Sequence, residues 1–141
     1  MKKGIIIVFS EDEERINKDE LINLSNHKNT ELCLVNNGSK DHTLEVLNAV
    51  KDNLESNCIS IIDIKKNIRT IAAVKAGARY LFSVGDLRYI VYLKSNILSY
   101  FKNRQFEVLK KIENEFLSSF LKKNNRKKNR KFYSSKDFLC L

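Results

Sequence analysis

Leu32-Cys33-Leu34-Val35-Asn36-Asn37-Gly38-Ser39-Lys40-Asp41-His42-Thr43 is the stretch that decides the fold. Leu32–Val35 reads as a buried strand, and Asn36-Asn37-Gly38-Ser39 as the polar turn that ends it. A helix starts near Asp41, with Ser39 or Asp41 able to cap it. The amino end of such a helix favours anions. Gly38 permits a positive φ and a close approach of backbone to a ligand. In open α/β sheets, ligands sit in the crevice beyond the carboxyl ends of the strands. An ordinary capped βα turn asks for the same residue types, so the turn chemistry alone leaves both readings open.

Working outward, strand and helix patterns alternate. Gly4–Phe9 (GIIIVF) is a continuous, β-branched run, as expected of a strand covered on both faces. Asn17, with Glu20 three residues on, signals the start of a short helix running to about Asn26. A second helix spans roughly Asp41–Leu54, with Val46, Leu47, Val50 and Leu54 on one face. Cys58–Ile64 is a third strand-like run. A third helix, roughly Thr70–Phe82, places Ile71, Val74, Ala78 and Leu81 on a buried face. Tyr89–Leu93 is a fourth strand. The order predicts an α/β fold: a mainly parallel sheet of about four strands flanked by helices, Rossmann-like. Ile97–Leu121 reads as a long helix whose stripe of Phe101, Leu109, Ile112, Phe116 and Phe120 needs a partner, either the sheet or a second copy of the chain.

Composition bounds the class. The 141 residues are 43% hydrophobic and include eight Phe, values of a globular chain with a core of its own. No apolar run approaches the ~18–20 residues of a membrane span. Gly4–Phe9 is too short for a secretory signal, and acidic residues follow at once. Cys33, Cys58 and Cys140 are too far apart for metal spacing with His27 and His42. Cys33 and Cys58 fall in strand patterns and read as small buried hydrophobes in a reducing compartment. Neither histidine has a visible partner for base work. Glu11, Asp12, Glu13 and Glu14 offer metal ligands, but such a run is more often solvated charge ahead of a helix. Tyr80, Phe82, Tyr89 and Tyr92 read as core or rim.

The net charge of +9 is uneven. Lys122, Lys123, Arg126, Lys127, Lys128, Arg130 and Lys131 put seven positive charges in ten residues, and the rest of the chain is close to neutral. The block suits an anionic membrane surface or a nucleic acid, or simply stays solvated. Phe132-Tyr133 and Phe138–Leu141 either dock back or hang free.

Val35–Thr43, VNNGSKDHT, resembles the V-D/N-D/N-G-S-x-D-x-T motif of family 2 glycosyltransferases. Three further positions match in order. Ser10-Glu11-Asp12-Glu13-Glu14-Arg15-Ile16 stands where that family has a Y-N-E-E type loop, with Ser10 for its Tyr, Glu11 for its Asn and Val8 near its Pro. Lys65–Gly77 resembles the K-N-x-G-K/R-x-x-A-x-x-x-G block, with Ile68 in place of the Gly. Tyr92-Leu93-Lys94-Ser95-Asn96 occupies the place of Y-L-D-A-D, whose D-x-D pair binds Mg²⁺ or Mn²⁺ with the sugar diphosphate.

The resemblance covers Gly4–Asn96. It implies a GT-A type nucleotide-sugar binding domain over 1–96, followed by a C-terminal helix over 97–121 and a basic, flexible tail over 122–141. It implies a nucleotide diphosphate sugar as partner and Ser10, Asp12, Asn36, Asn37, Gly38, Asn67, Arg69 and Lys94 as nucleotide-binding residues. The family's base-contacting carboxylate falls at Asn37, whose amide can still pair with a uracil-like edge. No cofactor is expected, because Lys94 and Asn96 replace both metal-binding carboxylates. The acceptor half and its catalytic base have no counterpart, so the resemblance implies a truncated transferase that is weakly active or inactive by itself. The alternative is a non-catalytic nucleotide-binding module, or one that binds polyanions or a membrane surface through Lys122–Lys131. Self-association through 97–121 is a further expectation, as is a cytoplasmic location, peripheral at the inner membrane face.

Overall fold

The computed structural model describes residues 2–54, 58–95 and 131–133. The order is β1 (Lys3–Phe9), α1 (Lys18–Ser25), β2 (Thr30–Asn37), α2 (Thr43–Asp52), β3 (Ile59–Ile64), α3 (Thr70–Val84), β4 (Tyr89–Lys94) and β5 (Lys131–Tyr133). The strands form one sheet in the order β3-β2-β1-β4-β5, and every pairing is parallel. The expected four-stranded α/β core is present. The fifth strand lies in the basic tail, so Phe132-Tyr133 takes the docking alternative: Lys131 pairs with Tyr89 and Tyr133 with Val91. The proposed helix over 97–121, the rest of the tail and Asn96 lie outside the described residues.

β1 is central, and all seven of its residues are buried. Alternation along a strand sends its side chains to two faces, and each face has its own helix layer. Ile5, Ile7 and Phe9 pack with Leu21 and Leu24 of α1 and with Leu47 and Val50 of α2. Ile6 and Val8 pack with Ala73, Val74, Ala78 and Leu81 of α3. Coverage on both sides explains why β1 and β2 read as unbroken apolar runs. Each fully buried Leu or Ile contributes roughly 1.5–3 kcal/mol by leaving water. Gly77 lets α3 lie close to the sheet: a Cβ there would stand 3.2 Å from side-chain carbons of Ile6 and Val35.

Asn17 caps α1 as its sequence pattern indicates, its Oδ1 accepting from the backbone N–H groups of Asp19 and Glu20 at 3.1 and 3.3 Å. Ile71 departs from expectation and is 51% exposed. The buried arc of α3 is Ala73, Val74, Gly77, Ala78 and Leu81, and at 3.6 residues per turn Ile71 falls on its flank. Tyr89 is buried and Tyr80 exposed, whereas Cys33 is buried and Cys58 only half so. No helix among the described residues is long and apolar enough to cross a membrane.

Candidate functional site

The chain runs β1, β2, β3 toward one edge of the sheet, then returns to place β4 on the other side of β1. Strand order therefore reverses between β1 and β4. The crevice outside the carboxyl ends of strands at such a switch point is where open α/β sheets bind ligands. Val8 is in register with Lys94 across this boundary, so Ser10 and Ser95 follow at its mouth.

Asp12 ties the mouth together. It is 5% exposed, and its Oδ2 accepts from the backbone N–H of Ser10 and from the Ser95 hydroxyl, both at 2.7 Å. Its own N–H donates to Thr43 Oγ1 at 3.0 Å. Asp12 thus joins the ends of β1 and β4 through its carboxylate and the start of α2 through its backbone N–H.

Of the acidic run after β1, Glu14 is exposed, as solvated charge would be, whereas Glu11–Glu13 are not loose. They are stitched to the loop after β2 by further hydrogen bonds. Glu11 N–H donates to Ser39 Oγ at 3.1 Å and Glu13 N–H to Asp41 Oδ2 at 3.3 Å. Lys40 N–H donates to Glu11 Oε1 at 2.6 Å and His42 N–H to Glu13 Oε2 at 3.3 Å. The Glu11 and Glu13 carboxylates thus take backbone amides of the loop ahead of α2, that of His42 lying at the helix N-cap. Glu11 adopts a φ of 53°, a left-handed conformation uncommon for a residue with a side chain. The N-cap position of α2 falls to His42, whose side chain makes no capping bond, and one residue earlier Asp41 Oδ1 accepts from Thr43 N–H at 3.0 Å and from the Thr43 hydroxyl. The Thr43 hydroxyl bond, first among several, holds the Asp41 carboxyl below the usual carboxylate range.

The turn after β2 meets the loop after β3. Gly38 has a φ of 62°, and a Cβ there would lie 2.2 Å from Asn67 N. Only glycine allows this crossing. Asn67 Nδ2 donates to the Asn37 carbonyl at 2.9 Å and to Ser10 Oγ at 3.1 Å. Asn37 is 3% exposed, and its amide is paired at both ends with the backbone of Ile68. It holds the loop and has no free edge turned to a base. Asn36, also 3% exposed, donates to Asp63 Oδ1 at 2.9 Å and accepts from Ser39 Oγ at 2.5 Å. The Lys65 ammonium, and after it the Asn36 amide, hold the Asp63 carboxyl below its ordinary value. Arg69 is exposed at the amino end of α3, immediately before Thr70.

Ser10, Asp12, Asn36, Asn37, Gly38 and Asn67 therefore form one bonded group at the carboxyl edge, with Arg69 and Lys94 at positions bordering it. Ser39, named from the sequence only as a candidate helix cap, belongs to the same network, as do Thr43, Asp63 and Ser95, which were not singled out as site residues. Thr43 had a signal, as the last residue of the turn motif; Ser95 had none beyond its place after β4.

The donor set does not suit the Mg²⁺ or Mn²⁺ of the resembled enzymes. Hard divalent cations take carboxylate oxygens. Here β4 ends in Lys94 and is followed by Ser95, and one oxygen of Asp12 already accepts from two donors. Among the described residues, no three or more His, Cys, Asp or Glu side chains are grouped to hold a metal.

No curated protein matches the chain. The family described as "Glycosyl transferase family 2" matches residues 5–95, which runs from within β1 through β4 and takes in every residue of the bonded group. With a parallel sheet of GT-A type and this ordered match over well more than half its length, the chain belongs to glycosyl transferase family 2.

Proposed function

We propose that this chain binds the nucleoside diphosphate portion of a sugar donor across the carboxyl edge of the sheet, and by itself transfers sugar slowly or not at all. The observation that carries the reading is the crossing of Gly38 against Asn67 beside Ser10. It puts main-chain atoms and small polar side chains from three strand ends around one crevice at the switch point.

Division of labour follows from the geometry. Ser10, Asn67 and the Gly38 turn line the crevice and offer hydrogen bonds to ribose or base. Arg69, exposed at the amino end of a 15-residue helix, suits a phosphate, since guanidinium and helix end both favour anions. Asp12, Asn36 and Asn37 act one step back, holding the three loops that present these groups.

Transfer needs a stabilised leaving diphosphate, a bound acceptor and a base. Stabilisation of developing charge is usually the largest single term in catalysis, and one lost donor costs about 10²–10³ in rate. Family members supply it through carboxylate-held metal at the position of Lys94 and Asn96.

Calorimetry with uridine and guanosine diphosphates tests the binding half of this reading. Weak saturable binding is expected, reduced about tenfold by Arg69→Ala, the loss of a little over 1 kcal/mol. Absence of binding to any nucleoside diphosphate overturns it. Robust transfer or hydrolysis across a panel of nucleotide sugars overturns the inactivity.

A further inference from the structure

We infer that Asn37-Gly38 is a deamidation site that the folded chain keeps shut and that opens on unfolding, so that time spent unfolded is recorded as loss of the Asn37 amide. Nucleotide binding plays no part in it.

The fold itself creates the labile dipeptide. The turn after β2 demands glycine at 38, because its φ is 62° and a Cβ there would stand 2.2 Å from Asn67 N. The pair with Ile68 demands an amide at 37, since one end donates to the Ile68 carbonyl and the other accepts from the Ile68 N–H. Together the two demands set an asparagine before a glycine, the one such dipeptide in the sequence. Asparagine is thermolabile, and a following glycine leaves its nitrogen unshielded and its backbone free to turn. Deprotonated Gly38 N attacks Asn37 Cγ, a C–N bond forms, ammonia leaves and a succinimide ring closes. Water then opens the ring at either carbonyl, giving aspartate or isoaspartate. One water is consumed and one ammonia released, with nothing oxidised or reduced.

Native contacts oppose each step. Gly38 N–H donates to the Ile64 carbonyl at 2.8 Å, so the nucleophile keeps its proton. The carbonyl of the same peptide, that of Asn37, accepts from Asn67 Nδ2 at 2.9 Å, which fixes the peptide plane. Asn37 Nδ2 and Oδ1 are held on Ile68 at 2.8 and 3.0 Å, so ring closure has to break both bonds. Asn37 is 3% exposed, which keeps water from the ring. The product cannot remake the lock. A carboxylate has no hydrogen to donate to the Ile68 carbonyl, its charge is costly to bury, and isoaspartate lengthens the main chain by one carbon. Unfolding followed by deamidation is therefore a one-way exit from the native state.

The test ages the full chain in mildly alkaline buffer, folded in one series and unfolded in guanidinium chloride in the other. Peptide mapping by mass spectrometry reads conversion of amide to acid at Asn37, with isoaspartate scored separately. Conversion is expected to be about tenfold or more faster in the unfolded series, because the folded chain reacts only through opening of the lock. Returned to native buffer, the unfolded samples should regain the parent's urea transition only in proportion to the Asn37 that remains. Equal rates in the two series overturn the protection. An Asn37 that survives in guanidinium chloride overturns the lability. Full recovery of the parent transition by converted chains overturns the one-way exit.

Discussion

The side-chain amide of Asn37 and the backbone of Ile68 form a closed pair: Asn37 Nδ2 donates to the Ile68 carbonyl at 2.8 Å, and Ile68 N–H donates to Asn37 Oδ1 at 3.0 Å. Asn37 is buried while Ile68 is exposed, and the pair joins the end of β2 to the loop before α3. It gives an asparagine, where family members place a base-contacting carboxylate, a structural task that a carboxylate performs badly. Asn37→Ala should destabilise the chain by about 2–3 kcal/mol, because two backbone groups lose their partner. Asn37→Asp should cost at least as much, since a carboxylate cannot donate to the Ile68 carbonyl and its charge would be buried. Urea unfolding of the three proteins decides. An Asn37→Asp variant as stable as the parent would show that the pair does not hold the loop.

Gly38→Ala is expected to be costly twice over. Its φ of 62° is in the left-handed region, worth about 1–2 kcal/mol against a residue with a Cβ, and that Cβ would stand 2.2 Å from Asn67 N. The loop at 66–67 must shift, and Asn67 then loses its reach to Ser10. The expected outcome is a drop in unfolding free energy of about 2 kcal/mol or more together with loss of nucleotide binding. A change below about 0.5 kcal/mol, the scatter of ordinary surface substitutions, would contradict the crossing.

Acid should loosen the loops at the carboxyl edge. The Asp63 carboxyl is held low by Lys65 and then by Asn36, and Asp41 is held low chiefly by the Thr43 hydroxyl. A carboxylate with a lowered folded pKa stabilises the fold above its unfolded value, near pH ~4. That stability is lost as pH falls through the folded value. Urea midpoints taken from neutral pH to about pH 3 should fall more steeply for the parent than for Asp63→Asn. Parallel curves would mean that Asp63 contributes nothing to the acid limb.

Alkali should act on the core instead. Burial pushes the Cys33 thiol up to about 12. A thiol whose folded pKa lies above its unfolded value of about 8.5 contributes stability that is complete below that pH and lost as pH rises toward 12. Native Cys33 should also resist iodoacetamide near pH 8, because the thiolate is the nucleophile. Peptide mapping after brief alkylation should find Cys33 unmodified until urea is added, with half-buried Cys58 labelled faster. Equal labelling of both in the folded chain would place Cys33 outside a closed core.

The amino-acid sequence alone determined the layers and the strands. Continuous β-branched runs at Gly4–Phe9 and Leu32–Val35 can be buried only between two helix layers, and the 3.6-residue pattern supplied those helices. The cap at Asn17 and the Gly38 turn were legible locally, because each depends on one residue's own chemistry, whereas the lysine in place of a carboxylate was legible only through the resemblance to the family. Ile71 was misplaced because its spacing fits a helical face whose centre is set by how α3 rolls against β1 and β2. The short strand at Lys131–Tyr133 has too few residues for a pattern, and its partner β4 lies far away in sequence. The working of the site was decided by tertiary structure alone. Nothing local says that the Glu11–Glu13 run would bond the 39–43 loop, that Asp12 would meet Ser95 across 83 positions, or that Asn37 would spend its amide on Ile68. Hydrogen bonds need partners at under about 3.5 Å, and only strand order brings the ends of β1, β2, β3 and β4 to one edge.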